Sequence, residues 1–588
     1  MTQYFQNNMK NWNVPGVAVA VVKNGEELYK SGFVVSDVET QNPVDPDSTT
    51  FPAASVSKLF TATAIMQLYQ KGKLDLNENI QSYLDDISIK NPYKEEVTCQ
   101  NLLTHSSGLD EGSELDGGTL DKDAIKSSKQ YFKEHIPSVI IRPNSVCRYS
   151  NIGYNLLGYI VEKVSGKSYE KYVTNNILEP LDMKHSSVRI ENDSMASGYE
   201  YSDGKYQKTS FAYQYTSGSS GVISTVSDME NFMIMHLNNG MFKDNCIIDA
   251  DTEMLMQKKQ FANHEVFDGM GEGFIRSSRN GVHILKHEGA LPGYTTTLLL
   301  LPNQKFGIYV ATNSLNGMLF NFEKTFLDYF LGVENVVNNE ENTSNNIDKY
   351  VGTYRSYDGI SIKNISKIFA SIDDTAEFKV NKAFDGNLTV SFYEQSKEKV
   401  STKLIDQSNG IFLRKDGKGY ITFREDKNGN IKYVFNNISH QTYLKIRNLG
   451  TMQSICLSLL FLILILLGSF LIIIIKAIRR KLKNNRKLWL MNGFINMLYV
   501  VDFVGIFVLE AYMILHYDYR LVWTIYILLT VIFLTILLNI YSLFIFGYGI
   551  IKKKFDKRTI LKFTMIQMVQ LLFIINLAYF NMIGYHVF

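Results

Sequence analysis

The sequence predicts a chain of three parts: a mixed helix-and-strand domain, a small all-β domain and an α-helical membrane region. Strand patterns at residues 12–35 and 282–313 enclose helical patterns, so we expect one sheet built from distant segments, as in α/β or α+β folds. Short strand patterns with Asp-Gly and Asn-Gly turns follow from residue 348 to 448. The last quarter of the chain contains apolar runs long enough to cross a bilayer.

Composition supports this division and excludes several function classes. The 588 residues carry a net charge of +2, and the mean hydropathy of -0.07 averages a polar part up to about residue 448 with an apolar remainder. A net charge this close to zero does not indicate nucleic-acid binding. Basic residues between apolar runs indicate association with a membrane instead. The four cysteines lie far apart, without a CxxC pair or a histidine at ligand spacing. We therefore expect no disulfide framework, no metal and no cofactor.

Periodicity places the main elements of the first domain. Apolar residues at three-to-four spacing predict helices from near Ser55 to about Lys71 and from about Asn151 to Val164, each followed closely by a glycine. Strands are predicted over residues 17–22, 28–35, 282–286, 295–301 and 306–311.

Composition shifts set the expected boundaries. We assign residues 1–333 to the first domain, 334–347 to an Asn- and Glu-rich linker, 348–448 to a small all-β barrel or sandwich, and 452–586 to the membrane region. The all-β part contains no catalytic type of cluster, so a structural or substrate-lining role is the default.

The membrane region contains about four predicted spans. They cover residues 455–475, 488–515, 521–550 and 560–585. The fourth is the least apolar, because it contains Lys562, Gln567 and Gln570. Asp502 and Glu510 lie within the second span, where an acid is costly and therefore a functional candidate. The alternatives are polar packing for Asp502 and a place at the outer interface for Glu510.

Charge between the spans predicts the orientation. The segments after the first and third spans are rich in Lys and Arg, whereas the segment after the second has Arg520 as its one permanent cation. The positive-inside rule places the basic segments in the cytoplasm and residues 1–448 on the other side. The N-terminus shows no signal peptide, so we expect an export segment upstream of Met1. The alternative is a cytoplasmic soluble part to which the charge rule does not apply.

Ser55-Val56-Ser57-Lys58 forms an S-x-x-K motif at the start of a predicted helix. A spacing of three residues places the serine hydroxyl and the lysine amine on one helical face. A lysine kept partly neutral by burial can take the serine proton and make the hydroxyl a nucleophile. Alone, the motif occurs by chance in many proteins, where it is a surface Ser and Lys.

Two further motifs favour catalysis. Tyr149 and Asn151 open the second helix after a proline turn, where the phenol can relay a proton and the amide can contact a substrate. His287 and Gly289 lie on a strand before a tight turn. Gly289 permits close approach of the backbone, and the N–H of Ala290 is the predicted oxyanion donor together with that of Ser55.

In this order and spacing, the three motifs resemble the serine β-lactamase and penicillin-binding peptidase superfamily, nearest its class C and D-aminopeptidase/esterase branch. Further segments resemble family signatures, among them residues 13–16, 102–109, 154–166, 179–183 and 221–229. The resemblance implies an α+β fold, with an antiparallel sheet flanked by helices and an all-helical lobe. It also implies that Ser55 is acylated, that Lys58 and Tyr149 move protons, and that His287 anchors substrate. His105 lies in a signature turn and is interpreted as structural.

One departure from the family bears on the substrate. Many members have lysine where this chain has His287, and histidine is largely neutral at pH 7. Efficient β-lactam hydrolysis is therefore less expected than cleavage of amides or esters with a D-amino acid near the scissile bond. The alternatives are a β-lactam sensor that stays acylated, and a degenerate scaffold. The expected partners are such a small-molecule or peptide substrate and the lipid bilayer; the sequence does not decide whether the membrane helices form a homo-oligomer.

Overall fold

The computed structural model confirms the predicted α+β fold followed by an all-β domain and long apolar helices. It describes residues 1–112, 117–189, 194–333, 347–358, 361–394, 399–437, 441–479, 485–516 and 521–587. The predicted linker 334–347 lies outside these residues except for Ile347. The chain divides into two compact units. The first unit comprises Met1–Glu111, Gly117–Gly359 and Thr375–Lys445, and the second comprises Gly112–Asp116, Ile360–Asp374 and Ile446–Phe588.

A six-stranded antiparallel sheet forms the centre of the first unit. Its strands are β1 (Gly16–Lys23), β2 (Glu26–Val34), β3 (Ile275–Arg279), β4 (Val282–Leu291), β5 (Tyr294–Leu301) and β6 (Phe306–Thr312), in the spatial order β3-β4-β5-β6-β1-β2. The first and last segments of the domain therefore pair, with Val19 opposite Val310. This arrangement confirms the prediction of one sheet assembled from distant segments.

Helices cover both faces of this sheet. The helices of this domain are α1 (Thr2–Trp12), α2 (Ser57–Gln70), α3 (Cys99–Leu103), α4 (Ser128–Glu134), α5 (Asn151–Ser165), α6 (Tyr169–Val173), α7 (Val226–Leu237), α8 (Ala250–Gln257) and α9 (Met318–Leu331). Side chains alternate along β1, so Val19 packs in a core with Phe5 of α1 and Phe322 of α9. Ala18 faces the other core, with Phe60 of α2 and Phe232 of α7. The sheet is buried on both faces, which explains the continuous apolar run in β1.

The all-β part is a closed antiparallel barrel of eight strands. They are β7 (Gly352–Ser356), β8 (Glu377–Lys382), β9 (Leu388–Tyr393), β10 (Lys399–Asp406), β11 (Ile411–Arg414), β12 (Tyr420–Glu425), β13 (Ile431–Asn436) and β14 (Thr442–Ile446). Tyr354, Phe378, Phe423 and Tyr443 form much of its aromatic core. The structure thus selects the barrel over the sandwich, and the barrel belongs to the same compact unit as the central sheet.

Four helices of the second unit are long and apolar enough to cross a membrane among the residues described. They are α11 (Met452–Ile478), α12 (Arg486–His516), α13 (Val522–Ile551) and α14 (Lys557–Tyr579). The last helix ends before the predicted limit at residue 585. It stops because Asn581 adopts a left-handed φ of 59° and donates from its amide to the carbonyls of Ile362 and Asn364.

The segment after β7 was predicted to be part of the all-β domain, and its structure differs. It contains the short helix α10 (Lys367–Ile372) and belongs to the second unit. There Ser366 Oγ donates to Glu510 Oε1 at 2.8 Å, and the Phe369 and Phe507 rings stack. Glu510 is therefore buried and hydrogen-bonded within this unit.

Candidate active site

The predicted nucleophile lies in a tight turn between a short strand and α2. The strand Phe51–Pro52 leads into a single 3-10 turn, Ala54–Val56, and α2 begins at Ser57. Ala54 has a φ of 53°, in the left-handed region, so the backbone reverses sharply just before Ser55. Thr296 Oγ1 of β5 donates to the carbonyl of Ala53 at 2.9 Å and holds this turn against the sheet.

Lys58 lies one helical turn after Ser55 and is completely buried. Its Nζ donates to Ser55 Oγ at 3.0 Å, to Asn151 Oδ1 at 2.8 Å and to the carbonyl of Ser219 at 3.0 Å. Burial lowers the pKa of Lys58 to about 7, while the negative charge of Glu111 acts in the opposite direction. A lysine with this pKa is substantially neutral near pH 7, as a proton acceptor for the serine must be.

Tyr149 contacts the same hydroxyl from the loop before α5. Its phenol hydrogen-bonds the Ser55 side chain, and the Lys58 Nζ lies 4.9 Å from the centre of its ring. Burial raises the pKa of Tyr149, and the hydrogen bond to Ser55 partly opposes this. The phenol therefore remains protonated at neutral pH and is available as a proton donor.

Asn151 and Glu111 complete the polar environment of Lys58. Asn151 opens α5, and its Oδ1 accepts from Lys58, so the predicted substrate contact would have to use the other side of this amide. The main-chain N–H groups of Asn151 and Ile152 donate to Glu111 Oε2 at 3.1 and 3.2 Å. Glu111 is buried, and burial raises its pKa.

His287 lies on β4 beside Tyr149, with the two ring centres 6.3 Å apart. Its Nδ1 lies 2.8 Å from the carbonyl of Glu288, so this nitrogen carries the proton in the neutral ring. Burial and the charge of Lys58 lower the pKa of His287 to about 4. The ring is neutral at pH 7, and its buried Nε2 atom has no hydrogen-bond partner among the described residues.

Glu288 does not add a free negative charge to the site. The buried Lys286 donates to Glu288 Oε1 at 2.8 Å and to Glu323 Oε1 of α9 at 2.7 Å. Side chains alternate along β4, so Lys286 and Glu288 lie on the face of the sheet opposite His287 and Gly289.

Gly289 and Ala290 follow on the same strand. A Cβ atom on Gly289 would lie 2.3 Å from Thr296 Oγ1 and 2.5 Å from the carbonyl of Ala53, so glycine permits β4 to pass the nucleophile turn. Ala290 is exposed and pairs with Thr295. Its role as an oxyanion donor stays a prediction, as does that of the Ser55 N–H.

The structure thus brings Ser55, Lys58, Tyr149 and Asn151 into direct contact and places His287 and Gly289 alongside. His105 packs its ring 4.3 Å from that of Tyr149, and its Nδ1 accepts from the N–H of Ser150 at 3.0 Å. The sequence patterns did not indicate Glu111, the carbonyl of Ser219 or Thr296. The one available signal was the position of Glu111, two residues after the signature that ends at Leu109.

This fold and this grouping of side chains define the class of serine hydrolases that use an S-x-x-K nucleophile. The Beta-lactamase family matches residues 1–328, more than half of the chain, and the chain belongs to that family.

Individual relatives agree with this assignment. Protein flp of Staphylococcus aureus (strain N315) is 26% identical over 321 residues, which is 52% of this chain and 61% of that protein. The chain thus spans about 61% of the length of this curated relative. The octameric penicillin-binding protein homologue from Pyrococcus abyssi is 24% identical, with a TM-score of 0.50 over 76% of this chain and 99% of that one. SurE with D-Leu is 18% identical, with a TM-score of 0.53 over 76% of this chain and 98% of that one. At these identities both structures show a shared fold.

Proposed function

We propose that the chain is a membrane-anchored, extracytoplasmic serine hydrolase that cleaves amide or ester bonds through an acyl-enzyme. The observation that carries the proposal is the 3.0 Å contact between Ser55 Oγ and the buried Lys58 Nζ, whose pKa is lowered to about 7. A serine hydroxyl becomes a useful nucleophile when an adjacent base of matched pKa takes its proton.

The reaction begins when Lys58 Nζ accepts the proton of Ser55 and the Oγ atom attacks the carbonyl carbon. The N–H groups of Ser55 and Ala290 stabilise the negative oxygen of the tetrahedral intermediate. Tyr149 or Lys58 then gives a proton to the leaving amine or alcohol as its bond to carbon breaks. A water molecule then attacks the acyl-enzyme and loses its proton to the same groups. These groups pass the proton to Ser55 Oγ as the bond from Oγ to the acyl carbon breaks, so the acid leaves and the serine hydroxyl is restored.

The neutral His287 favours a particular kind of substrate. A buried ring with a pKa of about 4 offers an acceptor at Nε2 in place of a cation, so an amide N–H or a hydroxyl is bound better than a free carboxylate. We propose compounds that contain a D-amino acid, either of the cell envelope or exported. This choice rests on the family resemblance and on the D-Leu in the SurE structure of similar fold.

The membrane helices supply the location. Four apolar helices indicate membrane association. The predicted cytoplasmic position of the basic segments after the first and third spans places the hydrolase outside the cytoplasm. A bilayer is therefore the expected partner of the second unit, whereas the self-association of the helices stays an open prediction.

A hydrolysis screen of the full chain tests the proposal. The screen compares D- and L-aminoacyl amides, acyl-D-amino acid conjugates and esters, with Ser55→Ala as the blank. We expect turnover and fluorophosphonate labelling in the wild type and neither in Ser55→Ala. Equal labelling of the two proteins would exclude Ser55 as the nucleophile.

The same preparation distinguishes an enzyme from the sensor alternative. Time-resolved mass spectrometry of the intact protein after addition of a β-lactam or an ester follows the acyl adduct. An enzyme loses the adduct within minutes, whereas a sensor keeps it for hours. If the acyl adduct persists with every compound of the screen, the hydrolase proposal is wrong and the sensor hypothesis takes its place.

A further inference from the structure

The chain that leads into Tyr149 and Asn151 has no regular secondary structure. Residues 147–150 form neither helix nor strand, and α5 begins only at Asn151. Main-chain groups in such a segment receive no partners from a helix or a sheet and must find them elsewhere. The position of the catalytic phenol therefore depends on whatever supplies those partners.

Three main-chain N–H groups of this segment donate to residues of the hydrolase fold. The N–H of Cys147 donates to Asn263 Oδ1 at 2.8 Å, and the N–H of Arg148 donates to the carbonyl of His105 at 2.8 Å. The N–H of Ser150 donates to the His105 ring. One side of the segment is thus fixed by residues of the same domain.

Two main-chain carbonyls, one in this segment and one just before it, accept hydrogen bonds from the barrel. Arg424 of β12 donates from Nη1 to the carbonyl of Ser145 at 2.5 Å, and Thr442 Oγ1 of β14 donates to the carbonyl of Cys147. Thr442 Oγ1 in turn accepts from Asn263 Nδ2 at 3.3 Å, so this hydroxyl links both sides.

Two side chains of the segment also contact the barrel. Val146 is buried in an apolar cluster with Tyr433 and Phe435 of β13. Arg148, the buried residue that precedes Tyr149, donates from Nη2 to the carbonyl of Tyr357 at 2.8 Å. Main-chain and side-chain contacts from four parts of the barrel therefore converge on residues 145–148.

We propose that the barrel is a positioning platform for the catalytic tyrosine segment, with Thr442 and Arg424 as its positioning residues. This inference rests on the proposed hydrolase function. The barrel residues act through Cys147 and Ser145. A shift of that segment moves the Tyr149 hydroxyl relative to Ser55, and the Asn151 amide relative to Lys58. A misplacement of about 1 Å in such a constellation costs about 10²-fold in rate.

Substitution of Thr442 tests the platform in the full chain. Thr442→Val keeps the shape and removes the donor to Cys147, Thr442→Ser keeps the donor, and Thr389→Val on β9 is the matched control. The measurement is the rate of fluorophosphonate labelling of Ser55 over a range of probe concentrations, together with thermal unfolding.

We expect the maximal labelling rate of Thr442→Val to fall about tenfold, because the loss of one buried hydrogen bond displaces the segment by a fraction of the distance that costs 10²-fold. The half-saturating probe concentration should stay unchanged, and Thr442→Ser and Thr389→Val should label as the wild type does. Labelling of folded Thr442→Val at the wild-type rate would overturn the platform.

Two further measurements distinguish a failure of the platform from a folding defect and from a failure of the proposed hydrolase function. If Thr442→Val does not fold, Arg424→Lys, which loses the forked donor and keeps the charge, must show the same loss of maximal rate. A wild-type rate in folded Arg424→Lys then overturns the proposal. If the wild type itself is not labelled at Ser55, the hydrolase function fails, and with it the premise of the platform.

Discussion

The charge of Glu111 should set the pH at which Ser55 becomes reactive. Glu111 raises the pKa of Lys58, which burial lowers to about 7. Glu111→Gln removes this charge and keeps an acceptor oxygen for the N–H groups of Asn151 and Ile152. Without the carboxylate the free amine is favoured, so we expect the acid limb of the labelling rate to move to lower pH.

The magnitude follows from the titration of Lys58. With a pKa of about 7, roughly 1% of the lysine is a free amine at pH 5, so the wild type should label about 100-fold more slowly there than on its plateau. A neighbouring negative charge favours the protonated amine about tenfold. In Glu111→Gln the free amine then reaches roughly 9% at pH 5, so labelling should be about ninefold faster than in the wild type.

The assay is the first-order rate of fluorophosphonate labelling between pH 5 and 9 at constant ionic strength. Ser55→Ala is the blank, and the hydrolysis of the probe is measured separately at each pH. A wild-type midpoint above pH 9 would refute the assignment of a neutralised Lys58 as the base. If the acid limbs of the wild type and of Glu111→Gln coincide, Glu111 is uncharged throughout this pH range and does not affect the pKa of Lys58.

Three more substitutions test other parts of the structure. Gly289→Ala should cost about 1–3 kcal/mol of unfolding free energy and most of the labelling, because its Cβ would overlap Ala53 and Thr296; a wild-type melting temperature and rate would contradict this. His287→Lys should increase acylation by a fluorescent penicillin at least tenfold, through a new cation for the carboxylate; no gain in a protein that still reacts with fluorophosphonate would refute it. Asn496→Leu should lower bundle stability in detergent by about 1 kcal/mol, because its bonds to Ser469 and Gln570 are lost. Asn576→Leu should not, because this half-buried amide donates to the Leu572 carbonyl of its own helix; equal stability of the two variants would oppose the polar network.

Sequence reasoning succeeded where the chemistry is local. Ser55 and Lys58 are three residues apart in one helical turn, so their contact follows from helix geometry. The sheet was also predictable, because alternation and turns fix β4 to β6 as neighbours and the long apolar run in β1 demands burial on both faces. The predicted substrate-binding residues came from the family resemblance, which also implied that the three motifs lie close together.

It failed where a contact depends on the path of the chain between elements. Glu111 follows a signature turn, and nothing in its neighbours indicates that its carboxylate would cap α5 beside Lys58. The helix α10 was hidden because six residues between two strands carry little periodic signal. Ser366, the N-cap residue of α10, donates to the buried Glu510. Whether Glu510 is functional or lies at the outer interface stays a prediction.

The fourth candidate span, α14, shows why hydropathy alone underrates a helix of this kind. Gln567 and Gln570 made it the least apolar, yet their spacing of three places both on one face of α14. Gln567 donates to Asn492 Oδ1 at 2.6 Å, and Gln570 donates to Asn496 Oδ1 at 2.6 Å, so the cost of each amide in hydrocarbon is offset by a partner on α12. Apolar side chains pack equally well against lipid and against a neighbouring helix, so they do not select one rotation of a helix. Hydrogen-bonded pairs of this kind do select one, because their two partners must face each other. Gln567 and Gln570 each lower the hydropathy of α14 and so weaken its prediction as a span. Paired with Asn492 and Asn496, the same residues fix the rotation of α14 against α12.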